Sequence, residues 1–164
     1  MVIVKGKNMI DLTILAIGPL KDKNLRTVAN NYIKRVKPYV RLRVQELTAA
    51  SFSVGSQAKA KEQEGKTILN YLDKRASSLK PASVYLLAER GKCYDSPQLA
   101  RWLEQEQPLI LVIGGALGFS PDLYARYSQI SLSPLTFPHE LARVILLEQI
   151  YRAAAIINQK DYHY

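Results

Sequence analysis

The chemistry on offer in this sequence is narrow: two histidines, one cysteine, a tight glycine cluster and two arginines on an apolar stretch. His139 follows Pro138 at the head of the longest apolar run, and an imidazole there can hold or move a proton near neutrality. His163 lies in the terminal Tyr162-His163-Tyr164. Gly114-Gly115-Ala116-Leu117-Gly118 follows an apolar run, where glycines let the backbone approach a ligand or simply turn tightly. Its spacing is not that of a dinucleotide fingerprint. Gly65-Lys66-Thr67 hints at a phosphate loop, but Ala60 stands where the first glycine is needed and a charged, helix-like run precedes it. It reads as a glycine in an exposed helix. Arg143 and Arg152 are nine residues apart, about 2.5 helical turns, and so project on roughly opposite faces. Each meets solvent, an anion, an acidic side chain such as Glu148, or a partner copy. A lone Cys93 and two histidines exclude an intrachain disulfide and cysteine- or histidine-rich metal sites, so no metal is expected.

These groups must be positioned by a chain of 164 residues, 48% hydrophobic and 23% charged, which suits one globular domain over residues 1–164. The net charge of +9 favours a polyanionic partner. It is unevenly placed: residues 1–80 hold 16 Lys+Arg against 6 Asp+Glu, and residues 81–164 hold 7 against 8. A basic part (9–80) therefore precedes a near-neutral part (81–164). Residues 1–8 read as an extension, with Met9 an alternative start. The apolar runs 109–113 and 144–147 fall far short of the roughly 18–20 residues of a membrane span. No signal peptide is read, and a reducing, cytoplasmic setting without membrane association is expected.

Hydrophobic periodicity predicts strands over 10–17, 40–47, 83–88, 109–113 and 129–133. Helices are predicted over 24–36, 57–78, 96–107 (capped by Ser96), 121–127 (capped by Ser120) and 138–158. The alternation gives an α/β class with a mainly parallel sheet flanked by helices. Ligands of such sheets bind where strand C-termini meet their loops. That rule selects 89–94, 114–120 and 133–139.

The run LILVIGGALG, followed by FSPDLYARYSQISLSPLTFPHELARVILLEQIYRA and the terminal YHY, resembles the ribosomal RNA large subunit methyltransferase H family of the SPOUT superfamily. The resemblance covers essentially 9–164, and upstream it includes GK.YDSPQLA. It implies methyl transfer from S-adenosylmethionine to N3 of a pseudouridine in 23S rRNA, on the assembled ribosome and by a homodimer. It also implies a trefoil knot in the C-terminal part, the cofactor-binding part, which periodicity does not suggest. Carried over by residue, the cofactor pocket comprises Leu87, Ala88, Gly114, Gly115 and the run Ser133, Pro134, Leu135, Thr136, Phe137, Pro138. Apolar walls from Leu87, Leu135 and Phe137 suit an adenine ring, and a helix start behind Pro138 suits a carboxylate. His139 and His163 are expected to help the N3 proton leave, with Arg143, Arg152, Tyr162 and Tyr164 positioning RNA. Ala116 replaces a proline frequent in the family, and Tyr164 replaces a basic residue. Two alternatives stay open: another RNA such as tRNA, or a non-catalytic ribosome-binding module.

Overall fold

The computed structural model describes residues 9–76 and 81–162. The expectations for residues 1–8, His163 and Tyr164 lie outside the described residues. Five strands form one sheet in the order β2-β1-β4-β3-β5, and every pairing is parallel. They are β1 (Ile10–Ile17), β2 (Val40–Leu47), β3 (Ser83–Cys93), β4 (Leu109–Ile113) and β5 (Ser128–Ser131). The helices are α1 (Lys23–Val36), α2 (Gln57–Ala76), α3 (Ser96–Gln105), α4 (Pro121–Arg126) and α5 (His139–Ile157).

β1 and β4 are the central strands, and each is buried on both faces. Leu12, Ile14, Leu109 and Leu111 join the core beneath α1, α3 and α5. Leu15, Ile17, Ile110 and Val112 join the opposite core beneath α2 and α4. Two-sided burial explains why these strands read as unbroken apolar runs. The chain leaves β3 toward α3 on one face and leaves β4 toward α4 on the other. Neighbouring strands whose loops diverge in this way open a crevice at their C-terminal ends.

Four local expectations change. β3 runs on to Cys93 through an irregularity between Leu87 and Lys92, because its far end pairs with Ile130 and Ser131 of β5. Gly91 makes this possible: a Cβ there would sit 2.4 Å from the Ile130 backbone. Asp95, not Ser96, caps α3, through a capping box with Gln98 that satisfies two backbone N–H groups at once. Ser120 occupies the cap position of α4, but its side chain makes no capping hydrogen bond. Gly65 is not exposed. It lies buried where α2 crosses the start of α4, and a Cβ on it would stand 2.3 Å from Ser120 Oγ.

Candidate active site

The crevice is a cavity of about 710 Å³ at the C-terminal ends of β3, β4 and β5. Leu87, Ala88 and Glu89 line it from β3, residues 113–119 from β4 and its loop, and Ser131, Leu132 and Ser133 from the β5 side. Leu135, Thr136, Phe137 and Pro138 continue the wall into His139 and Ala142 of α5. The three strand-end segments selected from sequence thus meet at one place, though the 89–94 segment contributes only Glu89. Pro134 belongs to the same loop without being a wall residue.

Hydrogen bonds fix this mouth across the sheet. Thr136 Oγ1 donates to Glu89 Oε2 at 2.5 Å, joining the loop after β5 to the end of β3. Ser131 Oγ lies 2.7 Å from the Ser133 carbonyl and 3.1 Å from that of Glu89, and it accepts from the Ser133 N–H. α5 starts at the cavity, and its first turn also holds the loop after β1. Glu140 Oε2 accepts from the backbone N–H groups of Lys21 and Asp22 at 2.9 and 3.0 Å.

Arg143, expected to meet RNA, is instead 2% exposed. Its guanidinium donates to the Gly18 carbonyl at 2.6 Å and to Glu46 Oε1 at 2.5 Å. A buried guanidinium needs such partners, and these lie at the ends of β1 and β2. Its role is to tie α5 to the sheet.

Arg152 and Tyr162 lie at the other end of α5. Thirteen residues separate Arg152 from His139, which is about 20 Å of helix. Arg152 donates to Glu148 and lies over the Tyr162 ring. Tyr162 packs edge-on against Tyr151, with Arg35 of α1 above both rings. This is a cationic, aromatic surface patch away from the cavity of the same chain.

Sequence reasoning gave no role to two acidic groups, although the first lies in the selected segment 89–94. Glu89 sits at the cavity mouth. Glu64 of α2 lies behind the glycine loop, 5% exposed, with Oε1 accepting from the Ala50 N–H at 3.0 Å. Its Oε2 has no hydrogen-bond partner among the described residues. Burial pushes the Glu64 carboxyl above its ordinary value, opposed by the Ala50 hydrogen bond and the nearby His139. A signal was present: Ala60, Glu64, Ile68 and Leu72 recur every fourth residue, on one buried stripe.

Among the described residues, no cluster of His, Cys, Asp or Glu could hold a metal, and no helix is long and apolar enough to cross a membrane. The family model "Predicted SPOUT methyltransferase" matches residues 10–163. A protein of Geotalea daltonii named "Ribosomal RNA large subunit methyltransferase H" is 38% identical over 160 residues, covering 93% of this chain and 99% of its own. One of the same name from Phocaeicola vulgatus is 35% identical over 159 residues, covering 93% and 98%. The crystal structure of TrmJ from Z. mobilis ZM4 shares the fold, with a TM-score of 0.50 at 15% identity over 88% of this chain and 70% of that one.

Proposed function

This chain belongs to the SPOUT methyltransferase family, and on that premise we propose that it methylates N3 of a pseudouridine in large-subunit ribosomal RNA. The methyl donor is S-adenosylmethionine, and the enzyme acts as a homodimer on the assembled ribosome in the cytoplasm. The observation that carries this reading is the convergence of three strand-end loops on one cavity beside the His139 imidazole. The names of the relatives supply the substrate class.

The lining fits the donor. The cavity volume lies in the range of small-molecule sites, which are mostly apolar with a few polar groups. Leu87, Leu135 and Phe137 offer walls for an adenine ring, and the peptide groups of 114–118 and 133–138 offer donors and acceptors to its edge. The N-terminus of α5, capped by no side chain, suits the carboxylate. When bound, S-adenosylmethionine supplies an electrophilic methyl group on a cationic sulfur.

The chain supplies orientation and a place for the proton. The Thr136–Glu89 bond holds the mouth in one shape, so that methyl and nitrogen meet aligned, which by itself lowers the barrier. His139, the one histidine lining the cavity among the described residues, receives the N3 proton or orients a water that does. Arg152, Tyr162 and Tyr164 belong to the RNA-docking surface, with Arg35 added and Arg143 removed. His163, the other candidate to take the proton, lies outside the described residues. The half-exposed apolar residues Leu141 and Ile145 of α5 support a second copy packed on that helix. Family membership implies the knot in the C-terminal part.

The test is mass spectrometry of 23S rRNA from a strain lacking the gene. Loss of one N3-methylpseudouridine is expected; its persistence refutes the substrate. Calorimetry with S-adenosylmethionine tests the pocket, and a protein that does not bind it is no methyltransferase of this type. Single-turnover methylation by His139→Ala is expected to slow by about 10²-fold or more if His139 takes the proton. An unchanged rate removes it from the mechanism.

A further inference from the structure

The least expected group in the molecule is the carboxylate of Glu64. A carboxylate that is 5% exposed and has one oxygen unpaired is costly to keep. The fold nevertheless goes out of its way to place it. Gly65 lets α2 press against Ser120, where a side chain would clash. That crossing brings Glu64 under the loop after β4. Gly115 has no positive φ to require glycine. A Cβ on it, however, would lie 2.7 Å from Glu64 Oε2 and 3.1 Å from Oε1. Ile17 Cγ2 would lie 3.0 Å from it as well, so the carboxylate and Ile17 together leave room only for glycine. Gly115 is itself a wall of the cavity, so one backbone segment separates the buried charge from the ligand space.

No cation among the described residues forms an ion pair with Glu64; the ion pairs they make all involve other groups. His139 acts on Glu64 from nearby and Lys61 lines the same cavity, but neither is paired with it, so its charge is open to a ligand, and the donor proposed above carries a positive charge on its sulfur. We propose that Glu64 is a positioning residue that sets the charge preference of the cavity, favouring the cationic sulfonium of the methyl donor over the neutral thioether left after transfer. The inference rests on the S-adenosylmethionine reading. In a site of low effective dielectric, a unit charge one backbone thickness away still acts on a bound cation. The same carboxylate does nothing for the neutral thioether, so fresh donor competes better with bound product for the cavity.

The test compares two ligands by calorimetry on the full chain: S-adenosylmethionine and S-adenosylhomocysteine. Glu64→Gln removes the charge while keeping an acceptor for the Ala50 N–H. Affinity for the sulfonium is expected to fall about tenfold, and that for the thioether by less than about twofold. Equal losses for both ligands overturn the proposal and leave Glu64 as a prop for the loop. Unchanged affinity for both also overturns it. If wild type binds neither ligand, the methyl-donor reading fails and takes this inference with it. If Glu64→Gln does not fold, wild type alone decides through sinefungin, which carries an ammonium where the sulfonium stands. Wild type must then bind sinefungin more tightly than S-adenosylhomocysteine, and the reverse order sinks the idea.

Discussion

Replacing Arg143 separates two roles that the sequence alone could not distinguish. In Arg143→Ala, the Gly18 carbonyl and Glu46 Oε1 lose a donor at 2.6 and 2.5 Å, and the volume of a buried side chain is vacated. A hydrogen bond from a charged donor to a buried carbonyl is worth about 1.5–3 kcal/mol. The Glu46 side chain is 42% exposed, so that ion pair adds only about 0.5–1 kcal/mol. Partial collapse of the vacated space leaves a further cost of about 1 kcal/mol. The expected loss is therefore about 3–5 kcal/mol, a fall in Tm of about 6–20 °C for a chain of this size. Arg143→Met keeps most of the volume and lets Glu46 turn to water, so it should lose about half as much. Urea and thermal unfolding read both variants, alongside RNA affinity measured at a temperature where each is folded. A variant with unchanged Tm and weakened RNA binding would falsify the structural role and return Arg143 to the docking surface.

Other outcomes follow from the same geometry. Gly65→Ala gains helix propensity but drives a methyl into Ser120, for a net loss of about 1–2 kcal/mol that Ser120→Gly should relieve; no rescue means that the two helices cross less tightly than this geometry requires. Because burial raises the Glu64 carboxyl, the native state holds its proton over a pH window in which the unfolded state has lost it. Stability then falls as pH rises from the ordinary carboxyl value through the raised one. The advantage of Glu64→Gln in urea unfolding should be largest near neutrality and shrink in acid, and the opposite trend refutes the direction. Lys34→Glu with Lys37→Glu reverses two exposed charges of the basic part. It should weaken ribosome binding and lower the salt slope by about 0.7–0.9 for each phosphate no longer neutralised, with cofactor affinity intact. Arg41 and Arg43 are poorer probes, because both face Asp11. Equal loss of ribosome and cofactor binding would mean that the basic surface and the cavity are not separate.

Local pattern carried much of this protein. The alternation of strands and helices, the apolar runs of β1 and β4 and the glycine loop after β4 are all features of short windows. Backbone propensity and burial act over the same few residues, so the sequence determined them. The strand-end rule then placed Gly114, Gly115, Thr136 and His139 near one crevice from the order of the elements alone. What the sequence did not determine is which charged groups are inside. Glu64 stands among Lys59, Lys61 and Glu62 and looks solvated, yet it shares a stripe with Ile68 and Leu72 that turns inward once α2 packs on the sheet. Arg143 finds its partners 97 and 125 residues away in the chain. Burying a charge is decided by what meets it, and for both residues only the tertiary structure brings that partner, or its absence, into place.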